Sequence, residues 1–94
     1  MSHWPPLHFT FIVAAMASLF LPTDLVRVVH LEHDDRAVDS SVDPPPQPRI
    51  GETGAVVEEV ADDIYLVERC TDDGRVLWLA EFLASELELV ERHQ

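Results

Sequence analysis

Between residues 55 and 82, three short runs rich in β-branched and aromatic residues follow one another with only a few residues between them. Residues 55–60, 64–70 and 75–82 read as strands. Asp62-Asp63 makes a tight turn after the first. Asp72-Asp73-Gly74 is a hairpin signal after the second, because Asp-Gly supplies the positive φ angles such turns need. Links this short leave no room for a crossover, so the three strands form an antiparallel meander. No other part of the chain constrains the fold as tightly.

Residues 25–31 (LVRVVHL) read as an earlier strand, with Val26, Val28 and His30 on one face and Leu25, Val29 and Leu31 on the other. Residues 32–48 have no apolar periodicity. They hold Glu32, Asp34, Asp35, Asp39 and Asp43, then Pro44-Pro45-Pro46 and Pro48, and are expected to form an exposed acidic loop ending in a stiff polyproline stretch. Such a loop is longer than a typical connection, which makes it functional or mobile. Gly51-Glu52-Thr53-Gly54 is a turn signal before the meander. The C-terminus reads two ways. Leu79, Leu83, Leu87 and Val90 fall at helical spacing, or residues 83–86 form a short 3₁₀ turn before a fifth strand at 87–90.

The stretch from Arg49 to Val60 resembles the G-x-x-G-x-V opening of KOW-like and SH3-like small barrels, with Gly51, Gly54 and Val56 in the motif positions. Together with Tyr65-Leu66-Val67-Glu68, Asp72-Asp73-Gly74 and Leu83-Ala84-Ser85-Glu86-Leu87, the chain is similar to a family of short prokaryotic proteins of unknown function over roughly residues 25–90. The resemblance implies an all-β fold, a small five-stranded SH3-like barrel with an apolar N-terminal extension. It also favours the turn and strand over the terminal helix. Two departures stand out: Arg69 where similar sequences carry an apolar or aromatic residue, and the long acidic loop.

Charge narrows the function. The 94 residues carry 18 Asp and Glu against 6 Arg and no Lys, a formal charge of −12. Every acid lies at or after Asp24, and residues 1–23 hold no charged side chain other than histidine. Binding to nucleic acid or to anionic lipid requires positive charge, so neither is expected. Glu52, Glu58 and Glu59 flank the glycine turn where RNA-binding KOW domains place basic residues. With 47% apolar residues the chain is not a disordered acidic tail. Cys70, alone, allows no internal disulfide. Salt adaptation and a GC-rich genome are both consistent with acids and arginines without lysine.

The domains expected are an apolar extension at 1–21 and the barrel at 22–94. Residues 7–21 (LHFTFIVAAMASLFL) are short for a membrane span, and no Lys or Arg precedes them as in a signal peptide. Three readings fit: translation from Met16, a segment packed on the domain or on a partner, or an export segment. A cytoplasmic location is expected.

His30, Glu32, His33, Asp34 and Asp35 form the densest His and carboxylate cluster. Neighbours on an extended chain point to opposite faces, which argues against metal binding, and no metal or cofactor is expected. Cys70 has no local base, and Ser40-Ser41 with the scattered histidines makes no triad spacing. Gly51, Gly54, Asp73 and Gly74 are the expected turn residues. Tyr65, Trp78, Asp34 and Asp35 are candidate partner contacts, with packing of Trp78 against residues 9–21 the competing role for that ring. The expectation is a non-enzymatic module that binds another protein, antitoxin- or immunity-like being one form, with the partner encoded by a neighbouring gene. The alternative is a KOW-like nucleic-acid-associated module within a larger complex.

Overall fold

Alternating apolar residues give most of the strands one buried face. In the computed structural model, which describes residues 18–93, the strands are β1 (Leu25–Val28), β2 (Thr53–Ala61), β3 (Ile64–Cys70), β4 (Val76–Leu83) and β5 (Leu87–Glu91). A 3₁₀ turn at Ala84–Glu86 joins β4 to β5. The fold is therefore all-β, and the C-terminus is turn plus strand rather than helix.

All five strands form one antiparallel sheet in the order β4-β3-β2-β1-β5. The expected barrel does not close. β4 and β5 remain the two edges, and the 3₁₀ turn carries the chain from one edge to the other without pairing them. β1 stops at Val28, three residues short of the expected end. There the amides of Val29 and His30 both turn to the carbonyl of Glu86, at 2.8 and 3.3 Å, and His30 leaves the core face.

Val26 and Val28 of β1, Val56 of β2, Tyr65 and Val67 of β3, and Trp78, Ala80 and Phe82 of β4 meet on the inner face with Leu87. Cross-strand pairs Tyr65–Phe82 and Val67–Ala80 set the register at the centre. Phe20 closes one end, edge-on to Tyr65 at 5.1 Å between ring centroids. The core thus begins before residue 22, inside the segment expected as an extension. The Met16 start, the export reading and the packing of residues 9–17 fall outside the described residues.

Several apolar residues break the alternation, and bulges are the reason. Val57 and Val60 in β2 and Val90 in β5 are each the extra residue at a register shift, and each is about two-fifths exposed. Added residues of this kind bend and twist the sheet around its small core.

The glycines act differently from one another. Gly51 adopts φ 97° and turns the chain into β2. Gly54 has no such φ. A Cβ there would lie 2.8 Å from both the Glu68 carbonyl oxygen and Val67 Cγ1, so β2 could not approach β3 as it does. In the β3–β4 hairpin only Gly74 has positive φ, at 89°, while Asp73 does not. The Gly74 amide donates to the Thr71 carbonyl at 3.0 Å and the Thr71 amide to the Arg75 carbonyl at 2.8 Å, so Asp72, Asp73 and Gly74 form a three-residue turn. Asp63, in the β2–β3 turn, carries φ 61°.

Gly54→Ala is expected to cost about 1–3 kcal/mol through overpacking. Urea unfolding checks this, and a loss below about 0.5 kcal/mol, the scale of an ordinary surface change, would contradict the close approach.

Candidate functional site

Arg36 is the one cation in the acidic stretch 32–43, and it is drawn inward by the most buried acid of the C-terminal half. Glu86 sits on the 3₁₀ turn with only 2% of its side chain exposed, and Arg36 with 11%. Their two hydrogen bonds are parallel, Nη2 to Oε2 at 2.6 Å and Nη1 to Oε1 at 3.1 Å. The backbone amides of Glu32 and Leu83 donate to the same carboxylate at 2.7 and 2.9 Å. The guanidinium also lies 4.6 Å from the centroid of the Phe82 ring. Burial pushes the Glu86 carboxyl up. Arg36 and the two amides outweigh it and hold the group below the usual carboxylate range.

This pair fastens residues 32–41 as a strap along the free edge of β4. The Arg36 guanidinium donates to the Glu81 carbonyl at 2.8 Å. Asp39 and Leu79 exchange both backbone hydrogen bonds, at 2.9 and 3.0 Å, and the Ser41 amide donates to the Val76 carbonyl at 2.8 Å. Gln47 holds the strap from behind, accepting from the Arg36 amide and donating to its carbonyl. Val38 and Leu31 pack against the core. The expected exposed loop is therefore anchored at several points, although Asp34 and Asp35 at its tip are exposed. The strap covers the edge that a closed barrel would have paired.

Between strap and sheet runs an open groove of about 530 Å³. Its floor is the outward face of the meander, where Ile64, Leu66 and Leu79 are half-buried and Leu83 is exposed. Glu32, Asp39 and Glu81 stand around it and are exposed. Arg36 and Glu86 lie at its back and neutralise each other. The groove has an apolar floor and an acidic rim.

A second ion pair, in which only the acid is buried, closes the opposite end. Asp24, 1% exposed, accepts from Arg92 Nη2 at 2.7 Å and Nε at 3.0 Å, and from the Leu21 amide at 2.9 Å. Arg92 holds its carboxyl below the usual range despite burial.

The structure separates the residues singled out in the sequence. Tyr65 and Trp78 are core side chains at 0% and 1% exposure, so neither presents a surface to a partner. The Tyr65 hydroxyl accepts from the Leu19 amide at 3.0 Å, and Trp78 Nε1 donates to Glu52 at 3.0 Å. Glu52 also accepts from the Arg49 amide at 2.9 Å, and Arg69 donates to the Thr53 carbonyl at 2.8 Å. The acid beside the glycine turn and the anomalous Arg69 thus have internal partners. Asp34 and Asp35 lie beside the groove residues but not in its lining. Among the described residues no three His, Cys, Asp or Glu side chains are placed to hold a metal, and no helix is long and apolar enough to cross a membrane. Comparisons of the chain with protein-family models, with curated proteins and with solved structures find no match.

The groove residues Leu66, Leu79, Glu81 and Arg36 were not singled out from the sequence. The single cation in an acidic run was the available signal for Arg36.

Because Glu86 and Asp24 bind protons less readily when folded, the unfolded chain takes up more protons in acid. Their contribution to stability is complete above the ordinary values of 4.5 and 3.8 and is lost as pH falls through the lower folded-state values. Urea midpoints measured from about pH 6 to about pH 3 should therefore fall, with a shallower fall in Glu86→Gln. An equal slope in that variant would contradict the assignment.

Proposed function

We propose that this protein is a non-enzymatic acidic module that binds a basic surface of another protein. The observation that carries it is the disposition of charge. Among the described residues, five of the six arginines stand within 4 Å of a carboxylate of the same chain, and Arg49 alone does not. The remaining acids face outward as an almost unopposed negative field, which steers and orients a cationic partner. Occupation of a basic active site, as an antitoxin- or immunity-like protein would do, is one form of this role. The proposed setting is the cytoplasm, with an SH3-like barrel as the related architecture. The nucleic-acid alternative has only the Gly51–Gly54 turn in its favour, and Glu52 in that turn is committed to Trp78 and Arg49.

The test is affinity capture from source-cell lysate at about 0.15 M salt, followed by a wash at about 1 M, where the screening length falls to about 3 Å. A stoichiometric basic protein, retained in the first and released in the second, is the expected result. Capture of no protein, or of RNA with a steep salt dependence, would overturn the proposal.

A further inference from the structure

We infer that the groove between the strap and the meander is the docking site, and that its occupant is a partner segment with an apolar centre flanked by arginine or lysine. This rests on the proposed protein-binding role and names the place and the chemistry.

Both halves of that chemistry are visible. Ile64, Leu66 and Leu79 offer half-buried apolar surface in a space of about 530 Å³, within the range of pockets that hold ligands. Glu32, Asp39 and Glu81 surround it with carboxylates. The Glu32 carboxylate is 3.1 Å from His30, while no arginine side-chain nitrogen lies within 4 Å of any of the three carboxylates among the described residues, the Arg36 guanidinium reaching only the Glu81 carbonyl. The one cation lining the groove, Arg36, is already neutralised by Glu86. A bound guanidinium or ammonium would therefore meet uncompensated acid on the rim while apolar side chains cover the floor.

The mode of binding also follows. The Val76, Leu79 and Glu81 carbonyls and the Leu79 amide on the edge of β4 are taken by Ser41, Asp39 and Arg36. A partner cannot add a strand there and must be recognised through side chains. Two other occupants fit less well. A second copy would bring one acidic rim against another. The chain's own first 17 residues contain no Arg or Lys to meet the rim.

A defined probe tests this on the full chain. One synthetic peptide has a central Leu-Val-Leu run with two arginines at each end, and its counterpart has glutamates in their place. Amide chemical shifts report where each binds. The arginine peptide should move the Leu66, Leu79 and Glu81 amides, weaken with salt, and lose about tenfold in affinity with Glu81→Arg, an exposed position outside the core. Leu66→Ser should weaken it as well, whereas Val57→Ser, outside the groove, should not. Equal binding of both peptides, no binding, or shifts confined to another face would overturn the inference. So would a dimer abolished by Leu66→Ser, or groove amides that move when residues 1–17 are removed. Capture of a basic protein by a surface insensitive to Glu81→Arg would leave the proposed function standing and defeat the groove alone.

Discussion

The buried ion pair of Arg36 and Glu86 is the contact on which the edge of the sheet depends. Two opposite charges out of water are costly unless each is fully hydrogen-bonded. Here Glu86 receives both guanidinium nitrogens and two backbone amides, and Arg36 also reaches the Glu81 carbonyl. The pair is better understood as specifying geometry than as adding net stability. It ties the 3₁₀ turn, the strap and the edge of β4 to one point. The same point sets the back wall of the groove.

An open five-stranded sheet has two edges that invite pairing with other chains. The edge of β4 is covered by the strap. β5 is short and carries Glu88 and Glu91, which resist edge-to-edge association with another acidic copy. Edge protection and the proposed recognition are therefore linked. The strap that blocks strand addition also makes one wall of a groove suited to side chains.

The meander was legible in the sequence because its signals are local. Alternating residues at Ile64–Cys70, the turn residues Asp62-Asp63 and Gly74, and the short links all act within a few positions. The terminal strand came from resemblance rather than from periodicity, since the spacing of Leu79, Leu83, Leu87 and Val90 by itself slightly favours a helix. The open sheet was not legible, because the strap's bonds to β4 join residues about 35–45 apart in sequence, Ser41 to Val76 and Arg36 to Glu81. Bulges at Val57, Val60 and Val90 escaped for a related reason: register is set between strands, not within one. Tyr65 and Trp78 were candidate surface aromatics only because a strand pattern does not say which apolar face is covered. Arg36 and Glu86 could be recognised as a pair only in three dimensions.

Amide hydrogen exchange in Arg36→Leu, compared with the unaltered protein, tests the central claim most directly. If the ion pair fastens the strap, the Asp39 and Ser41 amides, bonded to Leu79 and Val76, should lose far more protection than the Val67 amide in the middle of the sheet. Equal loss at all three positions would make the pair a general stabiliser, and unchanged protection at Asp39 and Ser41 would show that the strap holds without it.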